Sequence, residues 1–228
     1  MLQRLSRPLP DATYCCLTQP DNPEVALHSP PGPGRWLETL FMCWNPAGRK
    51  RRPERVGDEE LEEWLLGFLL GPHDQDARNQ FLAEMYPIGW RLIGLLRRFG
   101  VRAQVRRDDQ YHRPGAGHYS HERKTIILPR RQLGRDDDYS VVRHEVGHAI
   151  EHLITALCNQ NQPISEFLWQ GFSAQRTGFV SDYAQTDPEE YFAESVEGYF
   201  QDEGYRVLRD EDPGMFAFLD ALFETSNL

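Results

Sequence analysis

The sequence predicts an α+β domain that is rich in helix, with a small β-sheet lying over one central helix. Apolar residues recur every three or four positions in several long segments, which is the spacing of one face of an α-helix. Between residues 101 and 106 the spacing changes to alternation, which indicates a half-buried strand. A chain of 228 residues, 39% of them hydrophobic, is long enough to bury one core of this kind.

The first part of the chain differs in composition from the rest. Nine prolines lie in residues 1–55, and they interrupt any long helix there. We therefore expect an irregular, proline-rich extension at 1–55, followed by one domain at 56–228. Within this domain we expect a helical part at 56–99, a core with the functional residues at 100–202 and a closing helix at 213–225.

Two helical segments are predicted before the first strand. Asp58 is a good N-cap for a helix whose apolar stripe runs as far as Leu69. A second helical segment covers residues 76–99, and Pro87 should kink or split it because proline cannot donate the backbone hydrogen bond. Gly100 follows as the expected C-terminal cap.

Two strands are predicted next, at residues 101–106 and 124–129. A strand that comes shortly before the helix with the functional residues often borders the cleft of the functional site. We therefore expect the free edge of the second strand to hold an extended peptide through backbone hydrogen bonds. The loop between the strands contains three histidines without a partner at metal-ligand spacing, which we expect to be polar loop residues: His112, His118 and His121.

His144, Glu145 and His148 form an H-E-x-x-H motif in an amphipathic segment with Ser140 or Asp138 as a possible N-cap. Histidines four residues apart on a helix share a face, with Cβ atoms about 5–6 Å apart. Both rings can therefore bind one zinc ion through bonds of about 2.1 Å. The glutamate lies to the side of the metal, in the position of the general base of H-E-x-x-H metallopeptidases. Such a site still requires a third protein ligand.

His152 extends the same helical stripe and is the first candidate for the third ligand. A helix advances 1.5 Å per residue, so His152 lies too far along the axis to share a metal with His144, and we expect it to support a ligand or face solvent. A later helix starting at Asp187-Pro188 offers three carboxylates instead: Glu190, Glu194 and Glu197. One could bind the metal while a neighbour accepts a hydrogen bond from a ligating imidazole. A capping box at Glu190 and a solvated helix face for the other two are the open alternatives.

Composition restricts the partners and the compartment. The net charge of −10 argues against nucleic acid as a partner, because binding to phosphates depends on clustered cations. The four cysteines have neither metal-ligand nor disulfide-framework spacing, so we expect reduced thiols. No segment has the pattern of a signal peptide or a membrane span. We expect a cytoplasmic protein, with export by a route that needs no cleaved leader left open.

The segment from Tyr183 to Glu194, following the H-E-x-x-H motif, resembles the catalytic domain of anthrax lethal factor and the related bacterial Pro-Pro endopeptidases. In that family a tyrosine lies seven residues before a glutamate ligand, and Phe-Ala-Glu follows that glutamate. Gly117-His118-Tyr119 and residues 124–128 are similar to the family's strand before the active-site helix. The resemblance covers about residues 100–202 and implies a zincin-like fold.

The resemblance also implies a role for each matching residue. It implies that His144, His148 and Glu190 bind zinc. It further implies that Glu145 is the general base. By the same resemblance, Tyr183 donates a hydrogen bond in the transition state, and Glu194 supports a ligating histidine.

These observations predict a zinc-dependent endopeptidase of the gluzincin type, with Zn²⁺ as its cofactor and a peptide or protein as its substrate. A water activated by the metal would attack the peptide bond, with a glutamate as the general base. Two alternatives stay open. One is a regulatory or binding module with a structural or vestigial zinc site, and the other is a dedicated protease of a single intracellular regulator.

Overall fold

The computed structural model of this chain describes residues 67, 69–70, 75–106, 117–134, 139–158 and 162–227. The expected extension at 1–55 lies outside these residues, and the predicted division of the chain into parts stays a prediction. The elements of the described residues, numbered in chain order, are β1 (Leu69–Leu70), α1 (Gln75–Met85), α2 (Trp90–Phe99), β2 (Arg102–Arg106), β3 (His118–Ser120), β4 (Thr125–Pro129), α3 (Val141–Leu157), α4 (Ile164–Gly171), α5 (Pro188–Tyr199), α6 (Asp202–Glu211) and α7 (Pro213–Asn227).

The second predicted helical segment is split at Pro87, as its sequence indicates. A 3₁₀ turn over Tyr86–Ile88 separates α1 from α2. Gly100 caps α2 with φ +93°, a left-handed conformation that favours glycine. The predicted C-terminal cap is therefore confirmed, and the chain turns directly from α2 into β2.

The prediction that Leu69 belongs to a helix is wrong. Leu69 lies in β1, a two-residue strand that pairs in parallel with β2, with Leu69 opposite Ala103. This pairing places the Leu69 side chain, 9% exposed, in the core. A strand of two residues shows no alternation of its own, and Leu69 continues the apolar spacing of the helical stripe before it. Most of that predicted helix lies outside the described residues.

The sheet has four strands in the order β1-β2-β4-β3 within the described residues. Strand β2 pairs in parallel with both β1 and β4, whereas β3 pairs antiparallel to β4. The expectation that the second predicted strand has a free edge is therefore wrong, because β4 lies between β2 and β3. Among the described strands, the edge next to β4 is β3, which includes His118 from the predicted loop and buries Tyr119 to 4% exposure.

Helix α3 is the central helix, and its side chains are buried nearly all around its circumference. It contacts α1, α2, α4, α5, β3 and β4, so the sheet lies over it as predicted. Ser140 is its N-cap, and the Ser140 hydroxyl accepts a hydrogen bond from the Arg143 N–H at 3.2 Å. No helix in the described part of the chain has both the length and the apolar composition needed to cross a bilayer.

Helices α1, α2, α4 and α5 pack directly on α3, whereas α6 and α7 pack on α5. Asp187 caps α5, and Pro188 is its first residue, as predicted. The closing helix is also confirmed, as α7 begins at Pro213. Helix α6 was not predicted, because it is an amphipathic segment dominated by charged residues, and only Gly204 and Leu208 in it are buried.

Helices α3 and α5 approach each other closely at Gly147. A Cβ atom added to Gly147 would lie 2.7 Å from the Cα atom and 3.1 Å from the carbonyl oxygen of Ala193. Both of these are backbone atoms, which cannot move aside as a flexible side chain can. Glycine at position 147 therefore sets the separation of the two helices.

The first prediction concerns this contact. Gly147→Ala should lower the free energy of unfolding by about 1–3 kcal/mol, because an overpacked contact forces the backbones apart. The matched control is Gly171→Ala at the end of α4, where an added Cβ meets no atom within 4 Å. This control should be neutral or slightly stabilising, since alanine has the higher helix propensity. Urea denaturation of both variants measures the difference, and equal stability would contradict the close contact.

Candidate metal site

Helix α3 brings His144 and His148 together on one face. Their Nε2 atoms lie 3.2 Å apart, and the two rings meet edge to face with centroids 4.9 Å apart. The His144 side chain is almost fully buried, at 4% exposure for the residue, and His148 is half-buried. The first ring is therefore enclosed by protein, while the second borders the opening of the site.

Helix α5 adds the carboxylate of Glu190. Asp187 Oδ1 accepts the backbone N–H groups of Glu189 and Glu190 at 2.9 and 3.0 Å, which begins the helix at this point. Glu190 Oε2 then lies 3.3 Å from His144 Nε2 and 3.6 Å from His148 Nε2. The carboxylate thus faces the two imidazoles, and the capping-box alternative for Glu190 does not describe its contacts.

These three atoms have the spacing of ligands on one small cation. A tetrahedral zinc ion with bonds of about 2.1 Å separates its ligand atoms by about 3.4 Å. The three observed separations, 3.2, 3.3 and 3.6 Å, agree with this value. His144, His148 and Glu190 are a group of side chains that could hold a metal ion.

The second nitrogen of His144 faces a different carboxylate. His144 Nδ1 lies 2.8 Å from Glu194 Oε1, which is hydrogen-bond distance and shorter than the separation of two zinc ligands. With the proton on Nδ1, the lone pair of Nε2 points toward the other two ligand atoms. The group of His144, Glu194 and Glu197 therefore uses the other ring nitrogen of His144, and the 2.8 Å separation within it fits a hydrogen bond better than two ligands of one zinc ion.

Glu194 and Glu197 are buried, at 8% and 3% exposure, so the solvated-face alternative is wrong for both. Ser181 donates a hydrogen bond from its hydroxyl to Glu194 Oε2 at 2.6 Å. Glu197 Oε1 accepts the backbone N–H of Ser140 at 2.6 Å and the side-chain amide of Gln201 at 2.7 Å. The hydrogen bond from Ser140 joins α5 to the N-cap of α3.

Glu145 lies beside this group and is 3% exposed. A Cβ atom on Gly117 would lie 2.6 Å from Glu145 Cγ and 2.9 Å from its Oε1, so the backbone of residue 117 covers the carboxylate. The backbone N–H of Tyr119 donates a hydrogen bond to Glu145. Burial raises the pKa of Glu145 to about 7, against the opposing effect of the charges on His144 and His148.

The electrostatics of the site favour positive charge at His144. Burial lowers the pKa of His144, but its contacts with Glu190 and Glu194 outweigh burial and raise this pKa to about 10. Burial likewise acts to raise the pKa of Glu190, and the contacts with His144 and His148 hold it well below its usual range. A proton or a metal cation would be stabilised in the same place.

Tyr183 begins a 3₁₀ turn just before α5 and is 52% exposed. Its hydroxyl donates a hydrogen bond to Glu190 Oε1 at 3.1 Å, and its ring centroid lies 6.2 Å from that of His144. Partial burial and the charge of Glu190 raise the pKa of Tyr183 to about 12, so the phenol stays protonated and can act as a donor.

The segment before Tyr183 is held by a guanidinium group among aromatic rings. The Arg176 Cζ atom lies 4.6 Å from the ring centroid of Trp169, 4.2 Å from that of Phe179 and 4.8 Å from that of Tyr191. Such cation–π contacts stabilise by about 0.5–2 kcal/mol each. They connect α4 and α5 to the chain that leads to Tyr183.

Sequence reasoning missed several residues around the site. Tyr139 is 37% exposed, and its ring centroid lies 5.8 Å from that of His144. Burial and the charges of the surrounding glutamates raise its pKa above the usual range. Ser181 was also missed, because a lone serine in a loop carries no periodic signal, and the contact of Gly117 with Glu145 was not predicted. His152 joins neither of the two groups that could hold a metal ion and contacts Tyr119 instead, while His112 lies outside the described residues.

Two comparisons with known proteins bear on this arrangement. Residues 105–222 match the family model described as anthrax toxin lethal factor, N- and C-terminal domain. The structure is similar to that of a Pro-Pro endopeptidase from Paenibacillus alvei, with a TM-score of 0.53 and 14% sequence identity over 70% of this chain and 99% of that chain. This likeness shows that the fold is shared. Among curated proteins, none matches this sequence.

The second prediction concerns Ser181. Ser181→Ala removes the hydrogen bond to Glu194 and should weaken zinc binding at least about tenfold, because a supporting carboxylate orients the ligating imidazole. Competition with a chromophoric chelator measures this affinity. The matched control is Ser173→Ala, an exposed residue whose hydroxyl donates to the Gln170 carbonyl. If both variants bound zinc like the parent, Ser181 would have no part in supporting the site.

Proposed function

Because the chain belongs to the anthrax toxin lethal factor family, we propose that it is a zinc-dependent endopeptidase acting on a peptide or protein substrate. The observation that carries this proposal is the spacing of three side-chain atoms, at 3.2, 3.3 and 3.6 Å from one another, beside a buried glutamate. The fold shared with a solved endopeptidase supports the same reaction class.

In this proposal His144, His148 and Glu190 hold the zinc ion. When bound, zinc would lower the pKa of a water molecule to about 7 and polarise the carbonyl group of the peptide bond. Three protein ligands leave the fourth position of a tetrahedral site open, as in catalytic rather than structural zinc sites. Glu194 keeps the proton of His144 on Nδ1, so that Nε2 is free to bind.

Glu145 is the proposed general base. It would accept a proton from the attacking water and later transfer it to the nitrogen of the leaving amine. The Tyr119 N–H and the backbone of Gly117 restrict the carboxylate to one position. A fixed position matters because proton transfer requires hydrogen-bond distance to the reacting atoms.

Tyr183 is the proposed donor to the oxyanion that develops on the peptide carbonyl. Its hydroxyl now donates to Glu190 Oε1, at the edge of the group that would hold the metal. At 52% exposure the ring can also contact substrate. A donor that reaches the oxyanion mainly in the transition state lowers the barrier rather than the binding constant.

The third prediction tests the base. Glu145→Gln should keep the zinc content of the parent and lose cleavage by about 10²–10⁴-fold, because glutamine cannot accept the proton. Cleavage of a fluorogenic peptide library and metal analysis of the same samples provide the two measurements. Glu203→Gln, an exposed glutamate in the first turn of α6, is the control and should cleave like the parent.

Metal removal separates this proposal from a structural zinc site. Chelation should abolish cleavage while the circular dichroism spectrum keeps its helical signal, and added zinc should restore activity. A chain that unfolded on chelation would indicate a structural metal instead. Full activity in the Glu145→Gln variant would show that another group is the base.

The fourth prediction concerns Tyr183. Tyr183→Phe should lower kcat about 10²-fold, with little change in KM or zinc content, because the lost hydrogen bond acts in the transition state. Tyr205→Phe, on α6, is the matched control and should keep the parent kcat. Steady-state kinetics measure both constants. Loss of zinc from Tyr183→Phe would assign the hydroxyl to holding Glu190 rather than to catalysis.

A further inference from the structure

We propose that His152 positions the general base from outside the metal group, by holding strand β3 against helix α3 through Tyr119. This inference rests on the proposed role of Glu145 and assigns a function to three residues that the reaction itself does not use. We call Tyr119, His121 and His152 the β3 clamp.

The first attachment of β3 to α3 is at Glu145. The Tyr119 N–H donates to this carboxylate, and Gly117 lies against its Cγ and Oε1 atoms. In an antiparallel pair, the N–H and C=O groups of one residue point to the same side. Since the Tyr119 N–H points to Glu145, the backbone polar groups of Tyr119 face away from β4. The position of the base therefore depends on where β3 lies.

The second attachment is two helical turns further along α3. The Tyr119 hydroxyl lies 2.9 Å from His152 Nδ1, and the tyrosine side chain is buried at 4% exposure. Seven residues separate Glu145 from His152, which corresponds to about 10 Å along the helix axis. One residue, Tyr119, thus contacts α3 through its backbone at one point and through its side chain at another. Two contacts this far apart prevent the strand from rotating over the helix.

His121 and Phe99 pack against the ring of His152. The rings of His121 and His152 are stacked, with centroids 4.8 Å apart and planes at 9°, while the Phe99 ring meets His152 edge-on at 5.0 Å. Two parallel stacked imidazoles cannot both point a nitrogen at one ion in their ring planes, so this pair is not a metal site. Burial, together with the interactions with His121 and Lys124, lowers the pKa of His152 and favours a neutral ring that can accept a hydrogen bond from the Tyr119 hydroxyl.

The clamp matters because β3 is short and lies at the margin of the part of the sheet that the structure describes. It is a three-residue strand at the edge of the described sheet, paired to β4 on one side. A displacement of about 1 Å in a catalytic group can cost about 10²-fold in rate. Without the contact at His152, the strand and the carboxylate bound to it would move by such amounts.

Kinetics of clamp variants test the proposal. Tyr119→Phe and His152→Leu should lower kcat about tenfold and leave KM and zinc content unchanged. His152→Asn should recover most of kcat, because its side-chain oxygen can replace Nδ1 as the acceptor. Gly117→Ala, which displaces Glu145 directly, should lose about 10²-fold. The matched control is Glu122→Ala, an exposed residue in the same β3–β4 turn, which should keep the parent kcat.

A second measurement does not depend on activity. The amide proton resonance of Tyr119 in ¹⁵N-tyrosine-labelled protein should move upfield in Glu145→Ala, which removes its acceptor. It should move in the same direction in His152→Leu and stay unchanged in Glu122→Ala. Because resonance and kcat are read on folded, zinc-loaded protein, a general loss of stability would not imitate this pattern.

The outcomes separate the two proposals. Parent-like kcat in both Tyr119→Phe and His152→Leu, together with an unmoved Tyr119 resonance in His152→Leu, would overturn the role of the clamp, while an inactive Glu145→Gln would leave the endopeptidase proposal intact. A rise in KM at constant kcat would also overturn it, because that result assigns the residues to substrate binding. If the parent cleaved no peptide, the endopeptidase proposal would fail, and the resonance would still decide whether His152 holds β3.

Discussion

The contact between Gly147 and Ala193 is the constraint on which the site depends. It brings the backbones of α3 and α5 so close that no Cβ fits between them. Gly147 immediately precedes His148, and Ala193 immediately precedes Glu194, so this close contact occurs within one turn of the candidate metal group. A wider separation would move Glu190 and Glu194 away from His144 together. The small residue inside the H-E-x-x-H motif is therefore as necessary to the geometry as the histidines.

This close packing has an electrostatic cost that a metal ion would offset. Four glutamates surround His144, and three of them are almost fully buried: Glu145, Glu194 and Glu197. Buried like charges destabilise a fold unless hydrogen bonds or a cation compensate them. Backbone N–H groups of Tyr119 and Ser140 satisfy Glu145 and Glu197, and the Ser181 hydroxyl satisfies Glu194. Glu190 instead faces imidazole nitrogens, so the remaining charge is concentrated where the candidate metal group lies.

Much of the local structure could be predicted from the sequence, because it depends on neighbours within a few residues. The i, i+4 spacing of the motif, the Ser140 and Asp187 caps and the split at Pro87 all follow from the geometry of one helix. Contacts distant in sequence could not be predicted in this way. The parallel pairing of Leu69 with Ala103, the internal position of β4, and the contacts of Gly117 and Ser181 each join segments whose sequences carry no record of one another.

Strand β3 combines a local element with contacts that are distant in sequence. Its outer edge is the side on which an extended peptide could pair, yet the Tyr119 N–H on that side already binds Glu145. A peptide pairing there would find the Tyr119 carbonyl available and the N–H occupied. Since the same residue would then hold both the base and the substrate backbone, the distance between them would be set within one residue of one strand. Placing both on a short edge strand needs a firm attachment to α3, and the buried tyrosine provides it.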